Sequence, residues 1–367
     1  EEWNRMSFTI LEFAFNTAPT NEYDGWSDMY SLLELGHTKP GTYIMYDFIS
    51  EVTELLSKPL DLNSCALVHP YIALHFSHGA IAKTGHHIQD RPKVAAETLQ
   101  FLKENCFEEL KDRPVIYTFF DEIDPDNEDA NRAILRQVDA SLLSNWKKAW
   151  FDAGWNPHIM TLADAQRHPK YSEFMKELEQ VVMIGDGTTQ ARYNQICFIR
   201  WLAMASVGGG FMSDYDVFPI KHASALLPLM EGDFTVFDEV PTRGGIPSLM
   251  GGTEEGWLRM SFAILDYAFS HEPDPRFKGW SDFVALMELK VNQPESYYIN
   301  DRVGEVNKLL SNPYNRQVCG EVAPFVALHF SHADIAKSNN ELEKRPELAH
   351  NTIRFISEYC QEDEPSI

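Results

Sequence analysis

The chain has 367 residues, 44% hydrophobic and 23% charged, which is the composition of a folded protein of two or three domains and excludes disorder as its main state. No apolar run approaches the roughly 20 residues needed to cross a bilayer. Acidic residues outnumber basic ones by 55 to 31, for a net charge of −24; such a surface repels phosphate backbones and anionic membranes, which excludes nucleic acid as a partner and membrane contact within this chain.

The first residue is Glu1, and no secretory-type leader follows it, so the chain reads as processed or cut from something longer. Its first segment, EEWNRMSFTILEFAF from Glu1, returns as EGWLRMSFAILDYAF from Glu255. The register holds without a gap to Cys106 and Cys360, with about 46 of 106 positions identical. Landmarks include GWSD at Gly25–Asp28 and Gly279–Asp282, ALHFSH at Ala73–His78 and Ala327–His332, and RP at Arg91 and Arg345. The offset is a whole domain, far beyond the roughly 20–50 residues of a solenoid repeat. A stretch occurring once lies between the copies. The predicted organisation is therefore 1–111, the trailing helical subdomain of a preceding unit; 112–253, an α/β subdomain; and 254–367, the helical subdomain of the same unit. Two explanations stay open: a tandem array, implying self-association or further units, or a first copy with its own task.

In the middle stretch, Val115–Phe120 reads as a buried strand bounded by Pro114 and Asp121. A helix follows over Asp129–Phe151, with Ile134, Val138, Leu142 and Trp146 at helical spacing, and Gly154 ends it. Pro157–Leu162 is predicted as a strand, Tyr171–Val181 and Tyr193–Ser206 as helices, and Phe211–Ser213 and Phe234–Phe237 as strands. Alternating strands and helices predict an α/β sheet. The glycines of the IPSLMGG region, Gly244, Gly245, Gly251 and Gly252, are compatible with a lid over a ligand, a hinge or a linker. The last stretch is predicted mostly helical, over Trp257–Phe269, Asp282–Leu289, Arg302–Leu310 and Pro346–Tyr359, with one strand-like run, Val322–Phe330. Ser281 suits an N-cap, which makes the WSD of Trp280–Asp282 structural first and an acceptor-cleft acid second.

The segment Tyr193–Pro219 concentrates the chemistry. A buried helix carrying Arg200 ends at Gly208–Gly210, which permit a tight turn and close backbone approach to a ligand. A short strand then delivers Asp214 and Asp216 to one side, with Tyr215 on the other. Ligands of open α/β sheets bind beyond the carboxyl ends of the strands, and paired carboxylates there suit a hard divalent cation that also holds phosphates. Arg200 is placed to meet a carboxylate or phosphate. His329 and His332 form a second ligand pair, since neutral imidazole suits manganese as well as zinc; the other reading packs one in the core and leaves the other at a helix start.

These residues resemble the glycosyltransferases with a DXD sugar-binding region, the group of the fungal initiating mannosyltransferases and related galactosyltransferases. The resemblance runs over about 113–335 and is most specific at Arg200, Gly209–Gly210 and Asp214/Asp216. It implies a GT-A, Rossmann-like nucleotide-sugar-binding fold, a nucleoside-diphospho-sugar donor, a glycan or glycoprotein acceptor, a divalent ion (manganese or magnesium) and retention of anomeric configuration. In the roles it implies, Asp216 ligates the metal, Asp214 contacts the donor ribose or sugar, Arg200 contacts sugar or phosphate, and His329 or His332 completes the metal shell or touches the diphosphate. The chain departs from the pattern at Cys197, where the family carries Asp one turn before the Arg. That departure supports the rival reading, a non-catalytic structural or carbohydrate-binding array on a transferase fold. A third reading, a nucleotidyl or phosphoryl transferase, lacks a P-loop.

Cys65 and Cys106 recur as Cys319 and Cys360, as one disulfide per helical copy would require. Disulfides indicate an oxidising compartment, here the Golgi-type secretory lumen or the extracellular space. Two pairs of buried free thiols are the alternative. The acidic tail Glu362–Glu364 is solvated surface.

Overall fold

The computed structural model describes residues 49–60, 64, 73–105, 112–121, 130–185, 187–241, 243–311 and 317–360. The first stretch carries β1 (Ile49–Glu51), α1 (Thr53–Leu56), β2 (Ala73–His75), α2 (His78–Lys83) and α3 (Arg91–Asn105). The middle one carries β3 (Val115–Phe119), α4 (Ala130–Asp152), β4 (Asn156–Met160), α5 (Leu162–Gln166), α6 (Tyr171–Leu178), α7 (Thr189–Ser206), β5 (Gly209–Ser213), β6 (Val217–Pro219), α8 (Ala223–Leu226), β7 (Phe234–Val236), β8 (Glu239–Val240), β9 (Gly244–Gly245) and β10 (Leu249–Thr253). The last carries α9 (Glu254–Ser270), α10 (Asp282–Asn292), β11 (Tyr298–Ile299), β12 (Val303–Glu305), α11 (Asn307–Ser311), α12 (Gln317–Val322), β13 (Ala327–His329), α13 (His332–Lys337) and α14 (Arg345–Tyr359).

A six-stranded sheet of order β11-β7-β10-β5-β3-β4 forms the centre. Strands β4, β3 and β5 run parallel, and β10 is antiparallel to both β5 and β7. Alternation along the strands sorts the core into two halves. Phe119, Met212 and Met250 face a core built with α7, α9 and α10. Ile116, Phe211 and Leu249 face the other, built with α4, β6, β13 and α14. The result is a mixed α/β fold with helices on both faces of a mixed central sheet, compatible with the GT-A-like expectation. A smaller sheet, β12-β13-β6, joins the middle and last stretches.

Several predicted elements move. Helix α7 begins at Thr189, four residues before Tyr193, because Thr188 caps it by accepting from Gln190 N–H. The predicted helix Arg302–Leu310 is instead strand β12 followed by the short α11. Parallel pairing of Val303–Glu305 with Ala327–His329 overrides the local pattern. Within Val322–Phe330 only Ala327–His329 is strand. IPSLMGG is neither lid nor linker: Leu249–Thr253 is a central strand. A Cβ on Gly251 would lie 2.5 Å from Met230 Sδ, and one on Gly252 would lie 2.7 Å from Phe234 Cδ2, so the glycines let side chains close over the strand.

The first stretch repeats elements of the last at the 254-residue offset of the sequence. Strand β1 pairs with β2 in parallel, Ile49 opposite Ala73, as Val303 stands opposite Ala327. Helices α2 and α3 correspond in length and position to α13 and α14. Trp26–Asp28 and the rest of 1–48 lie outside the described residues, as do Cys65, Cys106 and the tail Glu362–Glu364. Cys319 and Cys360 form a disulfide, and Cys197 is a buried free thiol.

Candidate functional site

Helix α7 ends at Val207 and Gly208, where φ of +91° takes the chain into the left-handed region. The turn therefore falls before Gly209 and Gly210, which already pair in β5 opposite Thr253 and Gly252. A Cβ on Gly209 would come within 2.6 Å of Glu254 N, so this glycine serves strand packing. Strand β5 stops at Ser213, whose Oγ accepts from Trp146 Nε1 at 2.8 Å.

Asp214 and Asp216 follow in a tight turn closed by Val217 N–H donating to Asp214 O at 3.0 Å. Their common side arises from this turn and not from strand alternation. The turn lies beyond the carboxyl end of β5, which runs parallel to β3. Strand β6 then pairs with β13, placing His329 opposite Val217, and Phe330 N–H donates to Asp216 O at 2.9 Å. Residues far apart in sequence thus meet.

Arg200, almost fully buried, ties the site to the last stretch. Its Nε and Nη2 donate to Asp282 Oδ2 at 3.1 and 2.7 Å, Nη2 also to Pro247 O at 3.0 Å, and Nη1 to Asp214 Oδ1. Asp282 is itself buried, accepts from Trp201 Nε1 at 3.0 Å, and follows the N-cap Ser281. On the other side, Arg345 donates from Nε to Phe330 O at 2.8 Å and from Nη2 to Asp216 Oδ2. His329 Nδ1 faces Asp238 Oδ2 at 3.2 Å, which also accepts from Ser248 Oγ, and Nε2 lies 3.6 Å from Asp216 Oδ1.

Charge states follow from these neighbours. Burial alone would raise Asp216, but Arg345 and His329 outweigh it and hold the carboxyl well below its ordinary range. Burial lifts Asp214 to about 6 against the pull of Arg200, with Asp216 adding to the rise. Burial disfavours the charged His329 ring, yet Asp216 and Asp238 hold its pKa well above the ordinary value. Burial pushes the Cys197 thiol up, so Cys197 stays neutral where the resembling family places a carboxylate.

Ligand atoms of Asp214, Asp216 and His329 lie within 4.8 Å of one another; His332, exposed at the start of α13, is outside this group. The donor set fits a divalent cation on three counts. Asp216 Oδ1 is buried and makes no hydrogen bond. His329 presents Nε2 to it while a carboxylate takes Nδ1, the outer-shell arrangement common at metal-bound histidines. Two carboxylate oxygens with one imidazole make a mixed donor set of the kind that holds a divalent cation. Arg345, Asp238, Ser248 and the partner role of Asp282 were not among the sequence candidates. Only the repeated RP and WSD marked two of their positions. A cavity of about 450 Å³ between α4, β6 and α14 is lined in part by Lys148, Lys221, His222 and Arg354 and holds none of the candidate residues.

Comparison with known proteins bears on the same region. Residues 102–237 are similar to a family described as a domain of unknown function (DUF8765). No curated protein matches the chain. Among solved structures it is similar to mouse xyloside xylosyltransferase 1, apo form, with 12% identity and a TM-score of 0.34, over 53% of this chain and 87% of that one.

Proposed function

We propose that the chain is a metal-dependent glycosyltransferase that takes a sugar from a nucleoside-diphospho-sugar and passes it to a glycan or glycoprotein acceptor with retention. The supporting observation is the convergence of Asp214, Asp216 and His329, with a buried Asp216 Oδ1 facing His329 Nε2, at the carboxyl edge of the central sheet. In this reading 112–253 binds the nucleotide sugar, 254–367 completes the site through His329 and Arg345, and 1–111 is a duplicate of the latter.

Asp214, Asp216 and His329 would hold the cation, which when bound supplies positive charge against the departing diphosphate. Asp216 stays ionised because Arg345 clamps its Oδ2. Arg200 orients Asp214 while its other donors anchor α7 to Asp282 and Pro247. Asp238 fixes the His329 ring and turns Nε2 toward Asp216. Gly209 and Gly210 hold β5 against β10 and so set where the Asp turn begins. The Cys319–Cys360 disulfide supports an oxidising secretory or extracellular setting. No described helix is long and apolar enough to cross a membrane.

Titration calorimetry of the full chain with Mn²⁺, then with a panel of nucleotide sugars in its presence, tests the reading. Asp216→Asn, which keeps the side-chain volume, is expected to weaken Mn²⁺ binding by more than about tenfold. Equal binding by both proteins, or binding of no nucleotide sugar, would refute the assignment.

A further inference from the structure

Among the described residues, the two copies of the repeated segment differ in how one face is covered. In the last stretch, β13 and α14 are covered by the middle stretch: β6 pairs with β13, Phe218 meets Phe330 edge-on with ring centroids 5.5 Å apart, and Asn145 of α4 donates to Pro346 O. Leu328, Phe330 and Arg345 are buried there. Their counterparts Leu74, Phe76 and Arg91 are only half-buried, and Leu99, counterpart of the half-buried Ile353, is 54% exposed. Among the described residues β2 pairs with β1 alone, whereas β13 is the middle strand of three. The face has kept the same side-chain types, with an Arg at the same helix start and Leu for Ile, while among the described residues no counterpart of the middle stretch packs on it.

We infer that the face formed by β2 and α3 is a docking surface for a second α/β unit of the kind formed by residues 112–253. Its occupant presents an antiparallel strand like β6 to β2 and a helix like α4 to Leu99 and α3. The chemistry of the fit is that seen within the chain: apolar side chains against Leu74, Phe76 and Leu99, and a carboxylate for Arg91 in the place Asp216 takes beside Arg345. The resulting arrangement sets His75 and Arg91 beside the acidic turn of the docked unit. This inference rests on the repeat and on the lower burial of this face in the first copy, and does not depend on the sugar or the metal.

An extended chain tests it. Joining a second copy of residues 112–254 directly ahead of Glu1 reproduces the junction present at 254–255, because Glu1 is the counterpart of Glu255. Hydrogen exchange is then compared with that of the 367-residue chain. Amides of 73–76 and of α3 are expected to exchange at least about tenfold more slowly in the extended chain. Leu99→Lys, harmless in the shorter chain because the side chain is exposed, should restore fast exchange in the longer one. Equal exchange in the two chains, slowing that survives Leu99→Lys, or an added copy that stays unfolded beside the first subdomain would overturn the inference.

Discussion

His329 has one carboxylate at each ring nitrogen, and this double contact decides what the imidazole can do. With Asp238 at Nδ1, Nε2 is left for a cation shared with Asp216. Asp238→Asn should keep the fold and weaken Mn²⁺ binding by about 10–100-fold, as losses of outer-shell partners do; a paramagnetic-resonance titration reads this, and unchanged affinity would remove Asp238 from the site. Asp139 is a second informative carboxylate. Burial raises it to about 6, against the pull of Arg345 and a hydrogen bond from Tyr215. Its pKa is higher folded than unfolded, so the unfolded chain releases its proton first and stability falls as pH rises from about 4 to 6. At about 1.4 kcal/mol per unit the loss approaches 3 kcal/mol. Asp139→Asn should flatten that fall in urea denaturation across this window; an unchanged slope would show that the carboxyl titrates normally. At this scale Asp214, Asp216, Arg200 and His329 were legible because short spacings flagged them. Asp238 and Asp139 were not, since nothing local distinguishes them from surface acids.

The elements that place these residues depend on where the chain can do without a side chain. Gly208 and Gly209 both have positive φ, but a Cβ on Gly208 meets nothing within 4 Å while one on Gly209 strikes the backbone of Gly252–Glu254. Gly208→Ala should therefore cost only the backbone strain, about 1–2 kcal/mol. Gly209→Ala should cost more than about 3 kcal/mol by prying β5 from β10. Chemical denaturation of the two variants separates these cases; equal losses would mean that β10 yields. Strong periodicity made α4, α9 and α14 readable to within a few residues. In the sequence, β12 reads as helix and β13 as a longer strand, because three-residue strands have too few positions to show a period and their pairing is not local.

Taken whole, the molecule places its candidate site where the central sheet meets the three-stranded β12-β13-β6 sheet, so both the middle and last stretches must be in place for it to exist. The Cys319–Cys360 bridge closes a 41-residue separation and pins the end of α14, whose first residue is Arg345. The double variant Cys319→Ser/Cys360→Ser should lose about 4 kcal/mol on the chain-entropy model, seen as a lower melting temperature. A melting curve unaffected by the substitutions would show that packing alone holds the helix. The net charge of −24 opposes any nucleotide diphosphate approaching the protein. Arg200 and Arg345 are each paired with carboxylates at the site, so in the proposed reading the bound cation would supply the charge that offsets this field locally.

The sequence by itself determined the repeat, the alternation of strands and helices over 112–253, and the acidic pair with its Arg, because each is written in short-range spacing or in direct self-similarity. Only the tertiary structure decided that Arg345 clamps Asp216, that Asp282 anchors Arg200, that Asp238 orients His329, and that IPSLMGG is a central strand. Each of these depends on a pairing between segments tens to more than a hundred residues apart, and no local pattern encodes which buried charge will meet which.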